Sequence, residues 1–175
     1  MRPWILNAIL VLTISFAWLA DGKATQTSES LPQPAGRVIL TITGNIGNTN
    51  SEKGAEFDRE MLEAIGMVDI TTETPFIPGE TVFRGVRMSD LMRVVGANGT
   101  EVEAAALDLY TSKLPIADFE KHDVILALEA NGRKLRVRDR GPSWIMYPFS
   151  SDPAALDNEV IHSRCVWQLV SLDVR

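Results

Sequence analysis

The turn at Asn131-Gly132 is the strongest local constraint on how this chain can fold. It separates an apolar run at residues 123–130 from a second extended run at residues 133–137. Asparagine followed by glycine readily adopts the left-handed backbone of a two-residue turn, so the pattern predicts two adjacent antiparallel strands. This is the best-defined hairpin in the sequence.

Extended and helical patterns elsewhere predict a β-rich α+β domain with two short helices. The further strands are expected at residues 38–43, 67–72, 81–86, 104–111 and 164–174, with a loop at residues 75–80. Apolar residues at helical spacing predict one helix at residues 57–65, capped by Asp58, and a second helix capped by Ser89. We expect the last strand to close the sheet and the core to be partly two-sided.

The N-terminus carries an export pattern. Arg2 is followed by an apolar run at residues 4–20 and then by polar residues up to Ala24. This order is typical of a secretory signal peptide at residues 1–24, with cleavage after Ala24 and the domain in the periplasm. An uncleaved membrane anchor is the alternative, because the run reaches the lower length limit of a spanning helix. Residues 25–36 are predicted to be a flexible leader, and residues 37–175 the folded domain.

Charge and cysteine content exclude several classes of protein. The net charge of −6 would repel the phosphate backbone, so we do not expect nucleic acid as a partner. Cys165 is the only cysteine, so no internal disulfide can form and the fold must rest on packing. His122 and His162 lack the short spacing of a zinc site, so we expect no metal held by histidine and cysteine ligands.

Residues 138–148 combine charge and aromatic rings in one short run. Arg138 and Arg140 offer planar donor groups for carbonyl, carboxylate or phosphate oxygens, while Trp144 and Tyr147 offer flat faces with a polar edge. Such a mixture fits a flat ligand that is rich in nitrogen and oxygen. A basic strand edge beside a core tryptophan is the structural alternative.

Four motifs occur in an order that resembles a known family. A Gly-Asn-Ile-Gly turn follows the first strand, and the runs FRGVRMSDLM, DLY and NGRKLRVRDRGP follow at residues 83–92, 108–110 and 131–142. This order resembles the sulfite-oxidase-type molybdopterin-binding domain over residues 38–174. The resemblance is nearest to small exported members that consist of little besides the domain.

The resemblance implies a cofactor site, but this sequence departs from the family's pattern at two places. In larger members a cysteine thiolate binds molybdenum from the loop after the strand at residues 67–72, whereas residues 71–76 here contain threonines and no cysteine. Cys165, predicted to lie in the last strand, is expected to be a small buried residue. The family's Arg-x-Val-Lys-Trp element maps onto residues 164–168, where Trp167 replaces the lysine. A bare ring system therefore fits better than a ligand that bears phosphate.

The resemblance also implies which residues contact a pterin ring. Asp108 would accept hydrogen bonds from the amino-pyrimidine edge, while an aromatic ring covers one face and an arginine meets the carbonyl. Arg140 stands where the family has a phosphate-facing histidine. The expected ligand contacts are Asn45, Asp108, Tyr110, Arg138, Arg140, Trp144, Tyr147, Arg164 and Trp167, with no catalytic or metal-binding residue among them.

Three functions follow from these patterns. The first is an exported receptor that binds a free, reduced pterin and signals to the periplasmic region of a membrane-bound cyclic-di-GMP enzyme. The second is a molybdopterin-dependent oxidoreductase subunit, which here lacks the metal-binding cysteine and has only Arg2 where a twin-arginine export signal would stand. The third is a scaffold domain without a ligand. The first is preferred, with molybdopterin as the second choice of cofactor.

Overall fold

The computed structural model describes residues 31–175, so the predicted signal peptide lies outside the described residues. The strands are β1 (Leu40–Gly44), β2 (Ala55–Phe57), β3 (Met67–Thr74), β4 (Ile77–Arg87), β5 (Glu101–Ala106), β6 (Thr111–Pro115), β7 (Ile125–Ala130), β8 (Arg133–Lys134), β9 (Trp144–Met146) and β10 (Leu169–Val174). The α-helices are α1 (Arg59–Ile65), α2 (Met88–Val94), α3 (Ala117–Lys121), α4 (Pro153–Leu156) and α5 (Glu159–Arg164). None of the helices in this range has the length and apolar character needed to cross a membrane.

The strands form two five-stranded sheets. The first sheet has the order β2-β1-β10-β5-β6, and the second has the order β3-β4-β7-β8 with β9 also paired to β7. Strand β1 runs parallel to β10, with Thr41 opposite Ser171. The other neighbouring strands are antiparallel. The predicted β-rich α+β class is confirmed, with five short α-helices in residues 31–175 where two were expected.

Buried side chains from both sheets and from the helices form one continuous core. Strand β1 alternates, with Leu40 and Ile42 fully buried, as expected for a strand with one covered face. Strand β7 has four consecutive buried residues, Ile125 to Leu128, because elements cover both of its faces. This strand provides the two-sided part of the core that the sequence pattern predicted.

The predicted hairpin is confirmed. Asn131 and Gly132 have φ angles of 49° and 71°, the left-handed values that this turn requires, and they join β7 to β8. Strand β8 contains only Arg133–Lys134, so the second strand is shorter than the predicted run at residues 133–137.

Two predicted segments in the middle of the chain have different bounds. The loop expected at residues 75–80 is a two-residue turn, Pro75-Phe76, between β3 and β4. The strand expected at residues 104–111 is interrupted at residues 107–110, where Leu109 has a φ of 70° and Asp108 accepts a hydrogen bond from the backbone of Tyr110. Apolar residues continue to alternate across this turn, so periodicity alone concealed it.

The C-terminal strand is also shorter than predicted, because it begins at Leu169. Arg164 ends helix α5, and Cys165 follows that helix instead of lying in a strand. The side chain of Asn158 starts the helix by accepting hydrogen bonds from the backbone N–H groups of Val160 and Ile161.

One of the two predicted helix caps is present in the structure, and the other is not. Asp58 caps α1 as predicted, and its carboxylate accepts a hydrogen bond of 2.9 Å from the Met61 N–H. Ser89 does not cap α2, because that helix begins at the fully buried Met88 directly after β4. At the start of the described residues, Leu31 packs against the core, so this end of the predicted flexible leader is attached to the domain.

Candidate functional site

A cavity of about 260 Å³ opens between the β5–β6 loop, the end of helix α5 and the β3–β4 turn. Its apolar lining consists of Phe76, Ala106, Cys165, Val166 and Trp167. Its polar lining consists of Asp108, Tyr110, His162 and Ser163. We call it the Trp167 cavity. Its volume lies just below the range of drug-sized ligand pockets, which begins at about 300 Å³, and it therefore suits a bare bicyclic ring.

The β5–β6 loop places Asp108 and Tyr110 at the cavity. One carboxylate oxygen of Asp108 accepts a hydrogen bond of 3.1 Å from the Tyr110 N–H, which closes the loop on itself. The Tyr110 hydroxyl donates to the Ser163 carbonyl oxygen at 2.8 Å and so ties the loop to α5. The second carboxylate oxygen of Asp108 has no hydrogen-bond partner within residues 31–175, and it can accept from a ligand.

Aromatic rings form the wall opposite this loop. The ring of Phe76 lies 5.8 Å from that of Trp167 and 5.6 Å from that of Trp144, measured between ring centroids. Trp144 is fully buried and donates its indole N–H to the Cys165 carbonyl oxygen. Trp167 is 38% exposed and lines the cavity. Trp144 thus supports the wall from behind, and Trp167 and Phe76 present the faces that a flat ligand would contact.

Arg140 holds this aromatic wall together. Its guanidinium carbon lies 5.4 Å from the ring centroid of Trp144 and 5.9 Å from that of Trp167, within cation–π range. Its Nη2 donates to the Phe76 carbonyl oxygen at 3.2 Å. Its backbone is left-handed, with a φ of 68°. Arg140 is therefore committed to positioning Phe76 and Trp167 and does not line the cavity itself.

Tyr147 and Arg164 belong to a second polar group beside the cavity. The Tyr147 hydroxyl donates to Asp118 Oδ2 at 2.9 Å, and Arg164 Nη1 donates to the same oxygen at 2.7 Å. Burial, with Asp118 as the next cause, raises the pKa of Tyr147, so the phenol remains a hydrogen-bond donor. The structure thus places these two expected ligand contacts in the protein's own interior.

Asn45 and Arg138 lie away from the cavity. Asn45 follows β1 at the end of the sheet where Val174 lies, and its side chain donates to the Asn98 carbonyl oxygen. The cavity residue Ala106 is paired with Leu169 at the opposite end of β10. The Arg138 side chain is 71% exposed and has Asp139 as its ion-pair partner at 3.9 Å. A turn accounts for Asn45, and a solvated surface accounts for Arg138.

The threonines of β3 have structural roles in a tight turn. Thr72 is fully buried, and its hydroxyl oxygen accepts from the Ser150 N–H at 2.9 Å. Thr74 Oγ1 accepts from the N–H groups of Phe76 and Ile77. The segment that the resemblance aligns with a metal-binding loop is therefore a hairpin turn. It contributes the phenyl ring of Phe76 to the cavity instead of a sulfur ligand.

Cys165 does not offer a thiolate. It is 2% exposed, and burial raises the pKa of its thiol to about 12, so it is neutral near neutral pH. Within residues 31–175, no cluster of three or more histidine, cysteine, aspartate or glutamate side chains is arranged to hold a metal ion. In this part of the chain, the cavity lining therefore offers polar and aromatic side chains and a neutral thiol.

Comparison with known families agrees with the fold. The model of the oxidoreductase molybdopterin-binding domain matches residues 56–149, which is more than half of the sequence. The chain belongs to this family. The match ends before α5, so the molybdopterin-binding domain model includes Phe76, Asp108 and Tyr110 but neither His162 nor Trp167.

Among solved structures, the sulfane dehydrogenase SoxCD from Paracoccus pantotrophus is similar to this member of the molybdopterin-binding domain family, with a TM-score of 0.56 and 20% sequence identity. The similarity covers 77% of this chain and 37% of that chain, so the protein spans little more than a third of the SoxCD chain. At this identity the likeness shows the sulfite-oxidase-type fold. A comparison with curated proteins gives no match.

Phe76 and His162 line the cavity but were not among the expected contacts. Phe76 stands in the segment without a cysteine, at the β3–β4 turn, and this turn places its ring at the cavity. His162 lies in helix α5, two residues before its last residue, Arg164. This helix places the imidazole ring at the cavity. Only the last residue of α5 falls in the strand predicted at residues 164–174, so that prediction did not cover His162.

Proposed function

We propose that this member of the molybdopterin-binding domain family binds a free pterin in the Trp167 cavity and holds no metal through its own side chains. The observation that carries the proposal is the short β3–β4 turn, which contains no cysteine and places the Phe76 ring at the cavity beside Trp167. Three of the residues expected to contact the ring, Asp108, Tyr110 and Trp167, meet there.

The cavity offers complementary chemistry for each part of a pterin. The free oxygen of the Asp108 carboxylate accepts hydrogen bonds from the amino-pyrimidine edge. Trp167 and Phe76 can cover a face of the ring, and a stacked aromatic contact contributes about 1 to 3 kcal/mol per ring in nucleobase recognition. Arg140 strengthens the wall through its contacts with both neighbouring rings, so the site exists before the ligand arrives.

The proposal extends to an exported receptor. The export pattern at residues 1–24 supports a periplasmic location, and the Asp108, Tyr110 and Trp167 side chains at the cavity support a binding role. A bound pterin would stabilise one arrangement of the β5–β6 loop and α5, and the periplasmic region of a membrane-bound cyclic-di-GMP enzyme would recognise that arrangement. Only a difference in pterin affinity between two arrangements can transmit such a signal.

A molybdopterin-dependent oxidoreductase subunit is the second candidate. Membership of an oxidoreductase domain family supports it, as does the fold shared with a structure described as a sulfane dehydrogenase. This candidate requires a metal ligand from outside the described side chains or a rearrangement that exposes and ionises Cys165.

Metal content and pterin binding separate the two candidates. Protein produced from the full-length sequence is assayed for molybdenum by elemental analysis and titrated anaerobically with 6-methyltetrahydropterin by calorimetry. We expect no stoichiometric metal and one bound pterin. Trp167→Ala should weaken binding at least about tenfold, because one face of the ring loses its cover. Val160→Ala is the control, because Val160 is also an exposed apolar residue but lies on helix α5 outside the cavity lining.

One molybdenum per chain would overturn the receptor proposal and favour the oxidoreductase. The absence of both metal and pterin binding would reject both candidates and leave a scaffold domain.

A further inference from the structure

His162 and Asp157 form a pair at the wall of the Trp167 cavity. His162 Nε2 lies 2.7 Å from Asp157 Oδ1. The imidazole ring packs edge-on against Phe76 and Phe149, at centroid distances of 5.9 Å and 5.7 Å. These contacts fix the plane of the imidazole, and the carboxylate fixes which nitrogen carries a proton.

The two members of the pair face different spaces. His162 lines the Trp167 cavity, whereas Asp157 lines a separate pocket of about 200 Å³ that includes Phe149 and Ser150. Asp157 occupies the Nε2 side of the ring, so Nδ1 is the ring nitrogen left available to a ligand. Nδ1 has no hydrogen-bond partner within residues 31–175. In a neutral imidazole whose Nε2–H donates to a carboxylate, Nδ1 is an acceptor.

We propose that His162 is a specificity-determining residue that accepts a hydrogen bond from a ring N–H of the ligand, with Asp157 as its positioning residue. The proposal rests on pterin binding in this cavity. His162 and Asp108 then present two acceptors to the ligand, which must supply donors. Tetrahydropterins carry N–H groups at ring positions 5 and 8, while oxidised pterins have bare nitrogens there. His162, positioned by Asp157, therefore selects the reduced ring.

A purely structural role for the pair makes a different prediction. His162 lies in the last turn of α5, where a cation is favourable, and Asp157 precedes that helix. If the pair served only the helix, its loss would weaken reduced and oxidised ligands alike. The ratio of the two affinities is therefore the measurement that separates selection from folding.

The test is anaerobic calorimetry of the full chain at about pH 8 with 6-methyltetrahydropterin and oxidised 6-methylpterin. We expect the wild-type protein to bind the reduced form roughly tenfold more tightly, the effect of one hydrogen bond to a partly buried acceptor. His162→Phe keeps a ring and removes both nitrogens, so the affinity ratio should fall to about one. His122→Phe changes the other histidine, outside the cavity lining, and should leave the ratio unchanged.

Two substitutions at Asp157 test its positioning role. Asp157→Ala releases the imidazole and should reduce the ratio by about threefold, while Asp157→Asn can still accept from Nε2–H and should preserve it. The Asp157 side chain is 59% exposed, so its replacement should not prevent folding. The Asp157 variants therefore test the role of His162 if His162→Phe does not fold.

If the ratio of reduced to oxidised pterin affinity is unchanged in His162→Phe, the assignment of His162 is wrong, although pterin binding stands. If His162→Phe does not fold, an unchanged ratio in Asp157→Ala leads to the same conclusion. A wild-type protein that bound neither pterin would instead reject the proposed function, and this assignment with it.

Discussion

Asp118 receives hydrogen bonds from two residues that lie far apart in the sequence. Tyr147 and Arg164 both donate to its Oδ2, and the side chains of Asp118 and Arg164 are only 15% and 20% exposed. Limited contact with water strengthens each hydrogen bond and makes the loss of a partner costly. At the scale of single residues, this group holds α3, α5 and the end of β9 in their relative positions.

Tyr147→Phe should lower the free energy of unfolding by about 1 to 3 kcal/mol, because a hydrogen bond to a carboxylate is lost in a fully buried place. Tyr110→Phe, at the only other tyrosine, removes a hydroxyl from a half-exposed ring and should cost less than about 0.5 kcal/mol. Urea denaturation of both variants gives the comparison. Equal losses would show that the Asp118 group contributes little.

At the scale of secondary-structure elements, β4 and β7 meet more closely at one point than a side chain allows. The register shifts between Arg84 and Gly85, and a Cβ on Gly85 would lie 2.0 Å from the Leu126 carbonyl oxygen and 2.7 Å from the Ala127 Cα. Both neighbours are backbone atoms and cannot move without breaking the ladder. Glycine at this position therefore determines how the second sheet pairs.

Gly85→Ala should destabilise the protein by about 3 kcal/mol or more, because the strands must separate to admit the methyl group. Gly47→Ala is the matched control, since its nearest neighbour would be at an ordinary contact distance of 3.5 Å and its loss should be below about 0.5 kcal/mol. Thermal unfolding followed by circular dichroism measures both. A small shift for Gly85→Ala would contradict the register described for β4 and β7.

The N-cap of α1 makes stability depend on pH. Hydrogen bonds from the backbone of Met61 and then of Gly36 hold the pKa of the Asp58 carboxyl below its usual range. A lower pKa in the folded state means that the ionised group stabilises the fold above its unfolded pKa of about 3.9 and stops doing so as the pH falls through the folded value.

Asp58→Asn should therefore cost about 1 kcal/mol at neutral pH and lose less further stability than the wild-type protein between about pH 5 and about pH 3. Urea denaturation at a series of pH values tests this expectation. Parallel pH profiles for the two proteins would show that Asp58 is not responsible.

At the scale of the whole molecule, the two sheets share one core and meet at the aromatic wall. Trp144 of the second sheet forms a β-bridge with Trp167, and Leu169 at the start of β10 donates to the Ser143 carbonyl oxygen. Cys165 lies in this junction and is buried. Its exposure to solvent therefore requires the junction to open.

The native protein should resist thiol reagents at about pH 8, because burial raises the pKa of the Cys165 thiol to about 12 and limits access to it. Labelling should become stoichiometric in denaturant with the same midpoint as the loss of circular dichroism. Mass spectrometry counts the labelled fraction, with Cys165→Ser as the blank. Rapid labelling of the folded protein would show that the junction opens locally.

Local chemistry in the sequence identified those parts of the fold that depend on neighbouring residues. The Asn131-Gly132 turn and the Asp58 cap are such cases, because each is determined within a few residues. The Leu107–Tyr110 turn was hidden because its apolar residues keep the strand period, although Leu109 is 88% exposed. The strand predicted at residues 164–174 begins on the last residue of helix α5, because the apolar C-terminal pattern extended the prediction beyond the true start at Leu169.

The sequence predicted only part of the candidate site, because some of the contacts there join residues far apart in the chain. Asp108, Tyr110 and Trp167 were found because the resemblance gives their order along the chain, and the fold brings them to one cavity. Residue type alone could not show that Tyr147 and Arg164 bind Asp118, since that contact joins segments 29 and 46 residues apart. Charge and aromaticity indicated what these side chains can bind, and packing decided what they do bind.

The parallel pairing of β1 with β10 has a consequence for how the protein is made. Thr43 and Asp173 are hydrogen-bonded across a separation of 130 residues, and β10 lies at the centre of the first sheet. A ribosome releases the N-terminal strand first, so β1 must wait for nearly the whole domain to be synthesised before its partner exists. Pairings of such long range form slowly, and in the interval β1 keeps an open edge that chaperones or neighbouring chains can reach.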